Sequence, residues 1–181
     1  MADSRAQQTY QVRLGWGAAG LRQLAKSGIV VVVDAIGAAP EGEPSEASLL
    51  AADAAALPHA PLVFVASLRN ATATAKAVYA EQVARGGRTA INLVLVGDGE
   101  GGFAVEDYLA AGAIGDALSA LGLDHSSPDV AVATEGFRPL TRALKHLFSA
   151  SASGLALTDA GRRDEVRAAA QHDAEDRAAQ V

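Results

Sequence analysis

Apolar and polar positions alternate from Tyr10 to Trp16, and apolar residues then recur in three runs: Ile29 to Val33, Leu62 to Ala66 and Ile91 to Val96, the last holding Asn92. A run of five or six β-branched and aliphatic residues between turn signals reads as a strand buried on both faces, the mark of a parallel sheet. Between the runs lie segments with helical spacing or composition. Gly17 to Lys26 reads as a helix, closed by Ser27-Gly28. Ser45 is placed to cap an Ala-rich helix reaching about Leu57, and Ala71 to Arg85 is a helix stopped by Gly86-Gly87. After the fourth strand, a glycine-rich turn (Gly97-Asp98-Gly99-Glu100-Gly101-Gly102) and Glu106-Asp107 introduce a helix to about Leu121. Pro128 to Thr134 reads as a short strand or a helix. Phe137 to Ser151 carries one apolar helical face through Leu140, Leu144, Leu147 and Phe148, and the charged segment Arg162 to Ala179 is expected to be helical. Strands alternating with helices predict a three-layer α/β/α architecture with a mostly parallel sheet, as one domain over residues 1–181.

Composition narrows the function classes. The 181 residues are 50% hydrophobic and 4% aromatic, with a net charge of −6 and a pI near 5.1. That charge argues against a nucleic-acid surface. Absence of cysteine removes thiolate nucleophiles, disulfides and Cys-ligated zinc, and suits a cytoplasmic location. The first ten residues lack the apolar core of a signal peptide, and no apolar run reaches the roughly 20 residues of a membrane helix. His59, His125, His146 and His172 have neither metal-ligand spacing nor an acidic helper. A homo-oligomer is compatible with the Ala-rich helices.

Parallel strands make three strand ends neighbours: Asp34, the Ser67/Arg69/Asn70 group, and Asp98/Glu100. Ligands of open α/β sheets bind at such ends. The carboxylates are hard oxygen donors suited to Mg²⁺. Without a cation, Asp98 and Glu100 would repel a phosphate; Arg69 offers a bidentate contact to one. Each residue also has a plainer reading. Glu106 and Asp107 in a first helical turn are favoured by the macrodipole alone. Asp98 and Glu100 are common turn residues, Asn70 is a common N-cap, and Arg69 is a typical solvated loop charge. Asp34 is hardest to explain structurally, since it ends a run buried on both faces. The glycine cluster is not the GxGxxG fingerprint.

Four pieces in order resemble the 2-phosphosulfolactate phosphatase family: Ile29-Val-Val-Val-Val-Asp34; Val63-Phe-Val-Ala-Ser-Leu-Arg-Asn70; Val96-Gly-Asp-Gly-Glu-Gly-Gly-Phe-Ala-Val-Glu-Asp107 with Ala111-Gly112-Ala113-Ile114; and Gly161-Arg-Arg-Asp164 continuing to Asp173. The third piece is the most specific. The resemblance implies Mg²⁺-dependent hydrolysis of a small anionic phosphoester, a sulfonated hydroxy-acid phosphate, as in coenzyme M synthesis. On that reading Asp34, Glu106 and Asp107 hold the metal, Asp34 and Asn70 are catalytic, and Arg69, Ser67 and Gly99 contact substrate. The chain departs from the family where its Asp-x-x-Arg-Ala-Thr motif would stand. Here Asp34-Ala-Ile-Gly37-Ala-Ala keeps the aspartate but not the arginine or threonine. The segment between Asp34 and Val63 is also short. A non-catalytic, small-anion-binding relative is therefore the alternative expectation, with a nucleotide-binding module a third.

Overall fold

The structure is a computed structural model that describes residues 4–37, 39, 42–99 and 102–181. Four strands, β1 (Val12–Trp16), β2 (Ile29–Val33), β3 (Leu62–Ala66) and β4 (Ile91–Leu95), pair in parallel in the order β1-β4-β2-β3. A two-residue strand, β5 (Ala179–Gln180), adds antiparallel to the β3 edge. Every residue of β2 and β4 is buried, as expected of strands with helices on both faces.

Alternation along these strands divides the core. Val31 and Val33 with Leu93 and Leu95 face one layer; Val30 and Val32 with Val94 face the other. The second layer is small: α1 (Gly17–Gln23) contributes Leu21, and α2 (Glu46–Ala55) contributes Leu50, Ala51 and Ala54. The first holds α3 (Ala71–Ala84), α4 (Val105–Ala120), α5 (Pro128–Leu140), α6 (Leu144–Ala150), α7 (Ala152–Asp159) and α8 (Arg163–Ala169). The three-layer α/β/α architecture follows. Ser45 caps α2 by accepting the Ser48 N–H.

Of the two readings open for Pro128 to Thr134 the structure takes the helix, because the Ser127 hydroxyl accepts the Val130 N–H and proline fits the first turn. Two expectations change. Phe137 belongs to α5, and the apolar spacing from Phe137 to Phe148 is split between two helices by a turn after Leu140. The charged C-terminal segment is helical only from Arg163 to Ala169. Beyond it the chain runs back over the end of β3, where tertiary hydrogen bonds replace helical ones. Asp173 accepts the N–H and hydroxyl of Thr72, and the Glu175 N–H donates to the Arg69 carbonyl.

Candidate acidic site at the strand ends

The order β4-β2-β3 sets the ends of β4 and β3 on either side of Asp34, the residue that follows β2. Above this edge lies a cleft of about 250 Å³. Its floor is Asp34, Ile36, Gly37 and the turn Gly97 to Gly99; Glu46 of α2 stands on one side and Ser153, Ala156 and Leu157 of α7 on the other. The site thus opens between the two helical layers.

Asp107 fixes the geometry from beneath. Buried at the start of α4, it accepts the Ala35 N–H at 2.7 Å and the Gly97 N–H at 2.8 Å, one on each carboxylate oxygen. One side chain therefore ties together the turns leaving β2 and β4. The Ile36 N–H lies near Asp34 and favours its charged form. Glu106, beside Asp107, is 3% exposed and hydrogen-bonds with no other described residue.

Asp34 and Asp107 each feel the negative charge of Glu106. Burial, then repulsion by Glu46 and Glu106, raises the Asp34 carboxyl to about 6, against the nearby Ile36 N–H that lowers it. Burial above all raises Asp107 to about 7; the Ala35 and Gly97 bonds lower it, while Asp34 and Glu106 raise it. No cationic side chain enters either balance. A buried carboxylate without a counter-charge is costly unless protonated or paired.

The other candidates sit differently. Asn70 is buried and accepts the Ser67 N–H, while the Ser67 hydroxyl accepts the Arg69 N–H; together they build the turn before α3. Arg69 points to the C-terminal segment, pairing with Glu175 at 2.8 Å and donating to the Ala168 carbonyl at 2.6 Å. These three do not line the acidic cleft. Asp98 and Gly99 do line it; both are exposed, in a turn closed by reciprocal bonds between Asp98 and Gly102. Glu100 lies outside the described residues. Glu46 and the α7 wall carry no local signal in the sequence, because their approach to Asp34 depends on how α2 and α7 pack over the sheet.

The donor chemistry fits a hard divalent cation. Asp34 and Glu106 retain oxygen capacity, and Mg²⁺ is commonly held by only one or two carboxylates with water completing its shell. Among the described residues, no group of three or more His, Cys, Asp and Glu side chains forms a metal cage.

A three-layer α/β protein with an acidic strand-end cleft is the class that fold and site define. The sequence model of the 2-phosphosulpholactate phosphatase family matches residues 50–179, and the chain belongs to the 2-phosphosulfolactate phosphatase family. The match includes β3, β4 and the Glu106-Asp107 pair; Asp34 lies before it. No curated protein matches the chain. Among the described residues, no helix is long and apolar enough to cross a membrane.

Proposed function

We propose that the chain is a phosphoric monoester hydrolase acting on a small, doubly acidic phosphoester of the 2-phosphosulfolactate kind, with Mg²⁺ as cofactor. One observation supports the reading: Asp34, Glu46 and Asp98 line the strand-end cleft with buried Glu106 and Asp107 near Asp34, and no lysine or arginine among the described residues lines it. Such a cluster suits a cation, and with one present the cleft would accept a phosphate it otherwise repels.

Asp34 and Glu106 would hold the metal, while Asp107 keeps its two backbone bonds and positions both turns. Bound there, Mg²⁺ would neutralise the carboxylates and polarise a phosphoryl oxygen or a water. The Gly97 to Gly99 turn would bring backbone close to the phosphate, and Gly99 keeps its role as a substrate contact. Ile36, Val96 and Leu157 give the cleft an apolar wall that limits bulk water. Ser67, Asn70 and Arg69 act in this account by shaping the neighbouring turn, rather than in the catalytic and substrate-contact roles expected from the resemblance.

The non-catalytic reading draws support from Gly37. A Cβ built there would stand 2.5 Å from the Asp34 carboxylate, so any side chain at this position would require that carboxylate to move. Phosphate release from 2-phosphosulfolactate and from p-nitrophenyl phosphate separates the two readings. The hydrolase reading expects Mg²⁺-dependent release that falls about 100-fold or more in Asp34→Asn. No Mg²⁺-dependent release from either ester would leave the non-catalytic reading standing.

A further inference from the structure

A second pocket of about 330 Å³ adjoins the acidic cleft and shares Glu46 and Val96 with it. It lies between α1 and α2, with Ala18, Ala19, Leu49 and Leu50 as walls and Arg22 at its edge. Arg22 is the only lysine or arginine among the described residues lining either space. It is exposed and forms no hydrogen bond or ion pair with another described residue.

Other guanidiniums near the sheet are engaged. Arg69 is taken by Glu175 and Ala168, and Arg13 is buried with donors on the carbonyls of Gln8, Tyr10, Ala25 and Lys26. Glu46 and Asp53 also line the second pocket, so its field is not simply positive. An anion would enter only where a guanidinium meets it directly. Half-apolar walls, a donor fork and an opening onto the carboxylate cluster suit a short organic acid better than a bare ion.

We infer that Arg22 binds the second anionic group, sulfonate or carboxylate, of the phosphoester whose phosphate lies in the acidic cleft. The inference rests on the phosphoester reading above, and it assigns a specificity residue on α1, before the segment matched by the family. One molecule then spans both pockets: its phosphate at the Asp34 end, its acid group at Arg22, its short carbon chain past Val96. A simple phosphate monoester occupies only the first space.

Calorimetric binding of sulfolactate in the presence of Mg²⁺ tests this directly, because it does not require turnover. Arg22→Gln should weaken binding about 10- to 100-fold, the usual cost of losing a charge-assisted contact. Arg22→Lys should restore part of it, and the thermal midpoints of all three proteins should agree. Lactate as a second probe assigns the contact: an Arg22→Gln effect confined to sulfolactate identifies the sulfonate, and an equal effect identifies the carboxylate. Equal binding of sulfolactate by wild type and Arg22→Gln, or binding by neither, would overturn the inference. Failure to hydrolyse 2-phosphosulfolactate, with sulfolactate binding still lost in Arg22→Gln, would remove the hydrolase reading and keep Arg22. Where hydrolysis occurs, Arg22→Gln should raise KM for 2-phosphosulfolactate about 10- to 100-fold.

Discussion

Asp107 shows how one side chain can be structural and still decide a site's chemistry. Its two oxygens accept N–H groups from the turns after β2 and β4, so Asp107→Ala strands two donors in buried surroundings. The expected cost is roughly 2–4 kcal/mol in a urea titration, summed from the usual penalty for each unsatisfied group. The raised carboxyls have a pH consequence. Asp34 near 6 and Asp107 near 7 hold protons more tightly in the folded chain than in the unfolded one. The folded state therefore binds more protons between about pH 4 and 7, and their contribution to stability is lost as pH rises through that window. Without divalent cations, the urea midpoint of wild type should fall from pH 4.5 to 7.5 more steeply than that of Asp34→Asn; equal slopes would contradict the raised Asp34. Asp34 stood out in the sequence because a charge closing an apolar run has few structural excuses. Arg69 gave no comparable hint that its partners lie about a hundred residues further on, since nothing local encodes Glu175.

At the scale of elements, the Ala111 to Ile114 segment finds its reason in helix packing. A Cβ at Gly112 would stand 2.3 Å from the Ala133 carbonyl oxygen and 2.8 Å from the Phe137 Cβ, so α4 and α5 cross at a separation only glycine allows. Gly112→Ala should destabilise by about 1–3 kcal/mol, read from chemical denaturation, with the fold retained. The strands were legible because a continuous apolar run between turn signals has few alternatives. The C-terminal segment was not. Its interleaved charges satisfy a helical pattern, yet Asp173 caps α3 through Thr72 and β5 pairs with β3. Asp173→Ala should cost about 1 kcal/mol, as for loss of an N-terminal cap, and lower the thermal midpoint accordingly.

Across the whole molecule, the parallel order brings Asp34, Glu106 and Asp107 together from two separated stretches of chain. A sequence reading could place Asp34 and the Asp98 turn at adjacent strand ends, because β–α alternation constrains connection and handedness, but it joined Glu106 and Asp107 to Asp34 only through the family resemblance. It could not supply Glu46 or α7, whose approach depends on how the helical layers settle over the sheet. Nor could it show that Ser67 and Asn70 bond within the turn before α3 or that Arg69 pairs with Glu175 and Ala168. In the proposed chemistry a cation would be held by Asp34 at the acidic cleft and Glu106 behind it. Thermal unfolding at pH 8, with and without millimolar Mg²⁺, measures that binding. The wild-type midpoint should rise with Mg²⁺, and the rise should be lost in Asp34→Asn and in Glu106→Gln. A wild-type midpoint unmoved by Mg²⁺, or a shift that survives both substitutions, would contradict it.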